Sequence, residues 1–318
     1  MTETLRLGTR RSALAMTQSG MVADALTAAT GRRVTLVEIT TYGDTTQAAN
    51  ESVVASGNTG IFVNVLRDAL LREEIDFAVH SLKDLPTAAP ALLSLAAVPE
   101  REDVRDVLVA RDGHKLADLP VGARVGTGSL RRAAQLRMLR PDLEVVPIRG
   151  NVDTRVGFVT AGRLDGVVVA AAGLSRLGRI GEADDLFDPG DYLPAPGQGA
   201  LAVECREADT PLREQLALLD HRPTRLAVTA ERALLATLEA GCSAPVGGYA
   251  HLHHENDQEL TVTGIVAEPQ GLPGAAPRSV RGSLTGPAED AHRLGAELAA
   301  RLLAQGASAL MAQTGEAL

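Results

Sequence analysis

The chain has 318 residues, 45% of them apolar, and a formal net charge of −9; at roughly 150 residues per domain this is two or three globular domains, not a disordered or fibrous chain. Aromatics make up 2% with no Trp, and the acidic balance leaves no broad basic surface, which excludes nucleic acid as the partner. Two cysteines exclude a disulfide scaffold and a four-cysteine zinc site, Met1 to Arg11 carries no secretory signal, and the longest apolar run, Gly166 to Leu174, is too short for a bilayer, so a cytoplasmic protein with no membrane partner is expected.

In chain order, Leu5 to Arg10 is short and extended, and a helix follows from Ser12 to Thr27. Val34 to Thr40 is β-branched and predicts the next strand. Gly43 to Gly60, rich in Thr, Ser, Asn and Gly, is expected to be a mobile loop. Phe62, Val65, Leu66, Ala69 and Leu70 follow helical spacing, and Ile75 to Val79 is a buried strand. Glu100 to Asp106 is a mixed charge run expected to be a solvated connector or hinge. Arg124 to Gly126 leads into a helix over Ser129 to Leu139, stopped by Pro141. Gly166 to Ala172 is near-continuously apolar, as in a parallel sheet covered on both faces. A Pro/Gly stretch, Leu193 to Gly199, precedes a strand from Ala200 to Cys205. Beyond it, Thr224 to Ala240 is a helix, Glu259 to Val266 alternates as a half-buried antiparallel strand, Pro269 to Pro277 is a turn region, and Ala288 to Leu303 is a closing helix. The expected fold is α/β, with doubly wound sheets followed by a small α+β domain that begins near Arg222. In such folds ligands bind at the carboxyl ends of strands.

Several segments at those ends carry chemistry. Val125 to Arg132 reads strand, glycine turn, hydroxyls, helix start, so free N–H groups and the helix end favour an anion, with Arg131 and Arg132 adding forked contacts. A plain capped helix with solvated arginines is the alternative. Arg149, Arg155 and Arg176 lie near other presumed strand ends, and several arginines on one edge of an acidic protein suggest a pocket for a small polyanion. His80-Ser-Leu-Lys-Asp-Leu-Pro86 puts Lys83 and Asp84 directly after a buried strand, where a carboxylate can stabilise a developing cation; a loop ion pair is the alternative, and His80 reads equally as core or catalyst. Gly241 fits the left-handed position that ends a helix, which leaves Cys242 in the loop beyond. The electronegative helix end argues against a low-pKa nucleophile there, while a glycine-flanked loop suits slow permanent attachment. Cys205, in an apolar strand, is expected to be buried and inert. His251 to His254 lie on a surface strand and are a weak metal motif.

Together these segments resemble the porphobilinogen deaminase (hydroxymethylbilane synthase) family. The resemblance runs nearly end to end, through Arg6 to Arg10, Ala78 to Thr87, Arg101 to Asp103, Val125 to Arg132, Leu143 to Arg155, Leu193 to Arg206 and Thr229 to Gly247. It implies a transferase that joins four porphobilinogen molecules head to tail, with loss of four ammonia, into hydroxymethylbilane for haem biosynthesis. The chain grows on a dipyrromethane cofactor bound through a thioether to Cys242. By the same resemblance Asp84 and Lys83 are catalytic and also touch the cofactor, as do Thr127, Ser129, Arg131, Arg132 and Gln198. Arg10, Ser12, Arg149, Arg155 and Arg176 bind substrate, and no metal is needed. The family further implies three domains: residues 1–99 with 200–217 and residues 104–193 as two lobes like those of periplasmic binding proteins, and residues 222–318 carrying the cysteine. A monomer that passes its product to uroporphyrinogen-III synthase is implied as well. This chain departs at Gly128, where many members have Ser, at Asn58-Thr59, a loop position that is often basic, and at Leu14-Ala-Met-Thr17, which lacks the usual aromatic. The alternative from another class is a two-lobed binding or sensor module for a small anion, which needs neither the Cys242 loop nor the Lys83-Asp84 pair.

Overall fold

A computed structural model of the chain describes residues 4–39, 59–88, 90–241, 244–253, 258–270 and 277–312. Cys242, Asn58, His254 and most of the expected mobile loop lie outside the described residues. Along the chain come β1 (Leu5–Thr9), α1 (Ala13–Thr30), β2 (Val34–Glu38), α2 (Thr59–Leu71), β3 (Phe77–Ser81) and β4 (Leu93–Ala97). Next are β5 (Asp106–Ala110), β6 (Arg124–Thr127), α3 (Leu130–Leu139), β7 (Glu144–Pro147), α4 (Val152–Thr160), β8 (Gly166–Ala170), α5 (Ala171–Arg176) and β9 (Asp185–Leu186). The chain ends with β10 (Leu201–Arg206), α6 (Thr210–Ala217), α7 (Arg222–Thr237), β11 (Val246–Leu252), β12 (Glu259–Ala267), β13 (Ser279–Pro287), α8 (Ala291–Ala304) and α9 (Ala307–Ala312). Two compact units result, Met1–Glu102 with Ala200–Arg225, and Asp103–Gly199 with Leu226–Leu318.

In the first unit the described sheet has the order β2-β1-β3-β10-β4. The period of two along each strand divides its residues between two cores. Leu5, Leu7, Phe77, Val79, Val203 and Cys205 face α1 and α6, against Val22, Leu26, Leu212 and Leu216. The opposite face puts Ala78 under Leu66, Ala69 and Leu70 of α2. Gly8 belongs to that second face, where a Cβ would lie 2.2 Å from Ile75 Cδ1, so only glycine lets Ile75 close the sheet.

The second unit repeats the plan with the order β7-β6-β8-β5-β9. Leu108, Val125 and Val168 pack on Leu136 of α3, while Val107, Val109, Val167 and Val169 face Val156 and Val159 of α4 and Leu174 of α5. Burial on both faces explains the unbroken apolar run in β8. Two corrections follow. The sheets are mixed, because β10 runs antiparallel to β3 and β5 antiparallel to β8. The strand expected over Gly166 to Ala172 stops at Ala170, where α5 begins.

The same unit contains the antiparallel sheet β11-β12-β13, whose inner face packs Val246, Leu260, Val262 and Val266 on Leu234 of α7 and Leu294, Leu298 and Leu302 of α8. The expected left-handed glycine at 241 is corrected too. Helix α7 ends one turn earlier, with Glu239 at φ 52°. The N–H of Ala240 reaches Leu235 O at 3.2 Å and that of Glu239 reaches Ala236 O at 3.0 Å, a Schellman end in which a glutamate takes the glycine place.

Candidate active site

In the first unit β1 and β3 run parallel, so their carboxyl ends share one edge. Arg10 and Ser12 follow β1, and Lys83 and Asp84 follow β3 in the single turn Leu82–Asp84. Ser12 is the N-cap of α1, its hydroxyl accepting the Ala15 N–H at 3.3 Å. Arg10, Gln18, Val63, His80, Ser81 and Asp84 line a recess at this edge. Asp84 is half-buried and makes no hydrogen bond or ion pair with another described residue.

The floor of the recess is charged and buried. His80 and Glu204 sit on the α2 face of β3 and β10, where Arg67 of α2 meets them. Arg67 grips the Glu204 carboxylate with Nε at 3.0 Å and Nη2 at 2.7 Å. His80 Nε2 lies 3.2 Å from Glu204 Oε2, close but poorly aligned for a hydrogen bond. Burial alone would raise the Glu204 pKa; His80 and Arg67 outweigh it and bring it down to about 2. His80 is thus a buried residue of the recess wall, set beside Glu204. Cys205, on the other face of β10, is fully buried, and that burial pushes its thiol up to about 11.

In the second unit the corresponding edge is formed by the ends of β6, β7 and β8 and the start of β5. Thr127 Oγ1 accepts the Ser129 N–H at 3.2 Å, and Ser129 Oγ accepts the Arg132 N–H at 3.4 Å as N-cap of α3. Between them, a Cβ on Gly128 would lie 2.5 Å from Ile148 O, a backbone atom, so this turn has no room for a side chain there.

Arg131 and Arg132 are not solvated. They are 3% and 5% exposed, and both meet Asp106, which is fully buried. Arg131 Nη2 lies 2.8 Å from Asp106 Oδ2, and Arg132 Nη2 and Nε lie 2.6 and 3.0 Å from Oδ1. Gln198 Nε2 adds a bond to Oδ1 at 2.9 Å and another to Val104 O at 2.8 Å. Burial on its own would raise the Asp106 pKa, but the two guanidiniums and the Gln198 amide hold it well below the usual carboxylate range. Asp106 therefore overturns the reading of the whole charge run as a solvated hinge. Sequence reasoning missed it because a buried aspartate is legible only once its cation is known; its place directly before the apolar Val107-Leu108-Val109 was the available signal.

Arg155 Nε donates to Gly150 O at 2.9 Å and Arg176 Nη2 to Gly199 O at 2.7 Å. Arg149 is exposed and makes no hydrogen bond or ion pair with another described residue. Arg149 follows β7, Arg155 lies in α4 and Arg176 ends α5, all in the unit that holds Thr127 and Asp106.

A second missed carboxylate is Glu231 of α7, fully buried. Its oxygens accept the N–H of Gly197 at 2.6 Å and of Ala250 at 2.9 Å. Segment 193–198 is fastened from its other side as well. Gln135 exchanges two bonds with Leu193, at 2.8 and 3.0 Å, and Arg131 Nη1 donates to Leu193 O at 2.6 Å. The Pro/Gly stretch is thus a strap held by side chains on both sides. On the small sheet, His253 Nε2 lies 2.8 Å from Thr261 Oγ1 and His251 is exposed beside Tyr249. Among the described residues no His, Cys, Asp and Glu group is placed to hold a metal.

A family model described as "Porphobilinogen deaminase, dipyromethane cofactor binding domain" matches residues 5–214, and one described as "Porphobilinogen deaminase, C-terminal domain" matches residues 225–304. Porphobilinogen deaminase 1 of Streptomyces coelicolor is 58% identical over 324 residues, covering 98% of this chain and 99% of its own. The porphobilinogen deaminase of Thermobifida fusca is 59% identical over 265 residues, covering 83% of this chain and 82% of its own. Among solved structures, a periplasmic substrate-binding protein of an ABC transporter from Coxiella burnetii covers 72% of this chain and 97% of its own, with a TM-score of 0.43 and 13% identity. A likeness that low carries no argument, and the fold rests on the sheets themselves.

Proposed function

The chain belongs to the porphobilinogen deaminase family, and from that premise we infer that it is a transferase joining four porphobilinogen molecules into hydroxymethylbilane, with release of four ammonia, on a dipyrromethane primer bound through a thioether to Cys242. The observation that carries the assignment of roles is the buried guanidinium cluster of Arg131 and Arg132 over Asp106 at the end of β6.

The second unit fits a carboxylate-bearing primer. Arg131 Nε is buried with no hydrogen-bond partner among the described residues, a donor that costs about 1–3 kcal/mol unless an acceptor arrives. Arg131, Arg132, Thr127 and Ser129 would hold carboxylates of the primer, with Gln198 keeping Asp106 beneath the guanidiniums. When bound, the dipyrromethane supplies the nucleophilic pyrrole carbon from which growth starts. Arg149, Arg155 and Arg176, with Arg10 and Ser12 on the first unit, take the acetate and propionate groups of porphobilinogen. A well-made charged hydrogen bond contributes about 1.5–3 kcal/mol. Each added ring brings two more carboxylates, which repel unless cations match them.

The chemical demand at the reacting carbon has the opposite sign. Loss of ammonia from porphobilinogen leaves a methylene-pyrrolenine cation. A fixed carboxylate at Asp84 stabilises that charge and accepts from pyrrole N–H groups, with the Lys83 ammonium as its neighbour in sequence. The three domains, 1–99 with 200–217, 104–193 and 222–318, divide these tasks: the first brings Asp84, the second the arginines, the third the cysteine. Family membership does not favour the small-anion binding module.

We place the enzyme in the cytoplasm as a monomer that releases hydroxymethylbilane to uroporphyrinogen-III synthase. A reducing compartment keeps a free thiol for the thioether, and among the described residues no helix is long and apolar enough to cross a membrane. The test is Asp84→Asn in the full chain. The intact mass should keep an increment of two linked pyrroles while turnover falls about 100-fold or more. Near-normal turnover would remove Asp84 from the mechanism, and an active wild-type chain with the bare polypeptide mass would remove Cys242.

A further inference from the structure

Asp106 touches neither primer nor substrate in the roles assigned above, yet it is the most deeply buried charge on the arginine edge. It treats its two cations differently. Arg132 is held from below, with Nε and Nη2 on Asp106 Oδ1 and Nη1 on Val168 O at 3.1 Å. Arg131 sets one terminal nitrogen 2.8 Å from Asp106 Oδ2 as an ion pair out of hydrogen-bond alignment and donates the other to Leu193 O, and among the described residues its buried Nε has no acceptor.

We propose that Asp106 is a positioning residue that anchors Arg132 from below and turns Arg131 so that its Nε is the donor kept for a carboxylate of the bound primer. This rests on the reading of the chain as a porphobilinogen deaminase. The surroundings agree with it. Three groups hold Asp106 itself: two guanidiniums and the Gln198 amide, the last also tied to the backbone of Val104. The nearby Tyr192 hydroxyl donates to Arg132 O at 3.1 Å, and burial raises its pKa, so it stays neutral and adds no competing negative charge. Among the described residues, the buried Nε of Arg131 is the donor of this cluster that lacks an acceptor. Burying that donor unpaired is costly, which makes Arg131 selective for a ligand that brings an acceptor to its Nε.

With Asp106→Asn the carboxylate is lost but the shape is kept, the two guanidiniums repel each other, and the amide –NH2 points a donor at donors. In the full chain purified as expressed, the fraction carrying the two-pyrrole increment by intact mass should fall about ten-fold, as for one lost charged hydrogen bond. Asp106→Glu, which keeps the charge, should restore most of that loading. A loading in Asp106→Asn equal to wild type overturns the proposal. So does equal loss of loading in both variants with an equal drop in melting temperature, because that is core damage and not aim. A wild-type chain with neither the increment nor turnover would instead overturn the functional reading, and the proposal with it.

Discussion

Glu204→Gln tests the buried charge beneath the Asp84 recess. Wild-type Glu204 accepts two bonds from Arg67 and stands against His80, with the carboxyl 3% exposed. The pKa falls from 4.5 to about 2 on folding. At about 1.36 kcal/mol per tenfold change in proton affinity, that depression is worth about 3 kcal/mol. Removal of one partner from a buried ion pair independently suggests about 3–5 kcal/mol. The glutamine variant should therefore lose about 3 kcal/mol at pH 7.5, read by urea unfolding and by faster hydrogen exchange at the amides of β3 and β10. The pH dependence has a definite sign. A depressed carboxylate stabilises the fold above its unfolded pKa of 4.5, and the gain is lost as pH falls towards 2. The gap between wild type and Glu204→Gln should be constant above about pH 5 and narrow below it. A gap under about 1 kcal/mol at pH 7.5, or one that does not narrow in acid, would refute the claim that Glu204 is held as a carboxylate by Arg67 and His80.

Three further outcomes are expected. Gly128→Ser forces a Cβ against Ile148 O and should destabilise the chain by about 1–3 kcal/mol; an unchanged melting temperature would show that the turn shifts freely. Glu231→Gln leaves an amide –NH2 facing the N–H of Gly197 or Ala250, so hydrogen exchange at one of those two amides should speed up about ten-fold or more, and identical protection at both would dismiss the strap. Cys205, with a buried thiol raised to about 11, should resist iodoacetamide at pH 8 in the native chain and react once urea unfolds it. Rapid native labelling of Cys205, located by peptide mass, would contradict its burial.

Much of the fold was legible because local patterns were strong. The helical spacing from Leu66 to Leu70 and the alternation from Glu259 to Val266 both became the elements they predict. The apolar run of β8 was correctly read as covered on both faces, but its end was not, since Ala171 and Ala172 suit a helix start as well as a strand. Strand direction was not legible: Leu201 to Cys205 reads the same whether it lies parallel or antiparallel to β3. Neither was Glu239, because a left-handed glutamate is stabilised by the Leu235 and Ala236 carbonyls and by nothing in its own side chain. In the site, the arginines stood out as a set, whereas Asp106, Glu204 and Glu231 did not. Acidic residues are normally on the surface, and each of these is buried only because a distant segment delivers a cation or backbone N–H groups to it. Cys242, expected as the covalent anchor from the family resemblance, lies outside the described residues.

Strand β10 lies between β3 and β4 but is synthesised only after the chain has left that sheet and returned. A nascent polypeptide that has emerged through Glu102 therefore has Arg67 and His80 in place and lacks the acid that reconciles them. That lobe cannot close while it waits, and two sticky strand edges remain open to the crowded surroundings of the ribosome. Early termination or a delay between the two passages should accordingly yield aggregates, not a stable half-protein. The interleaved order makes completion of the whole chain a condition for the soundness of its first part.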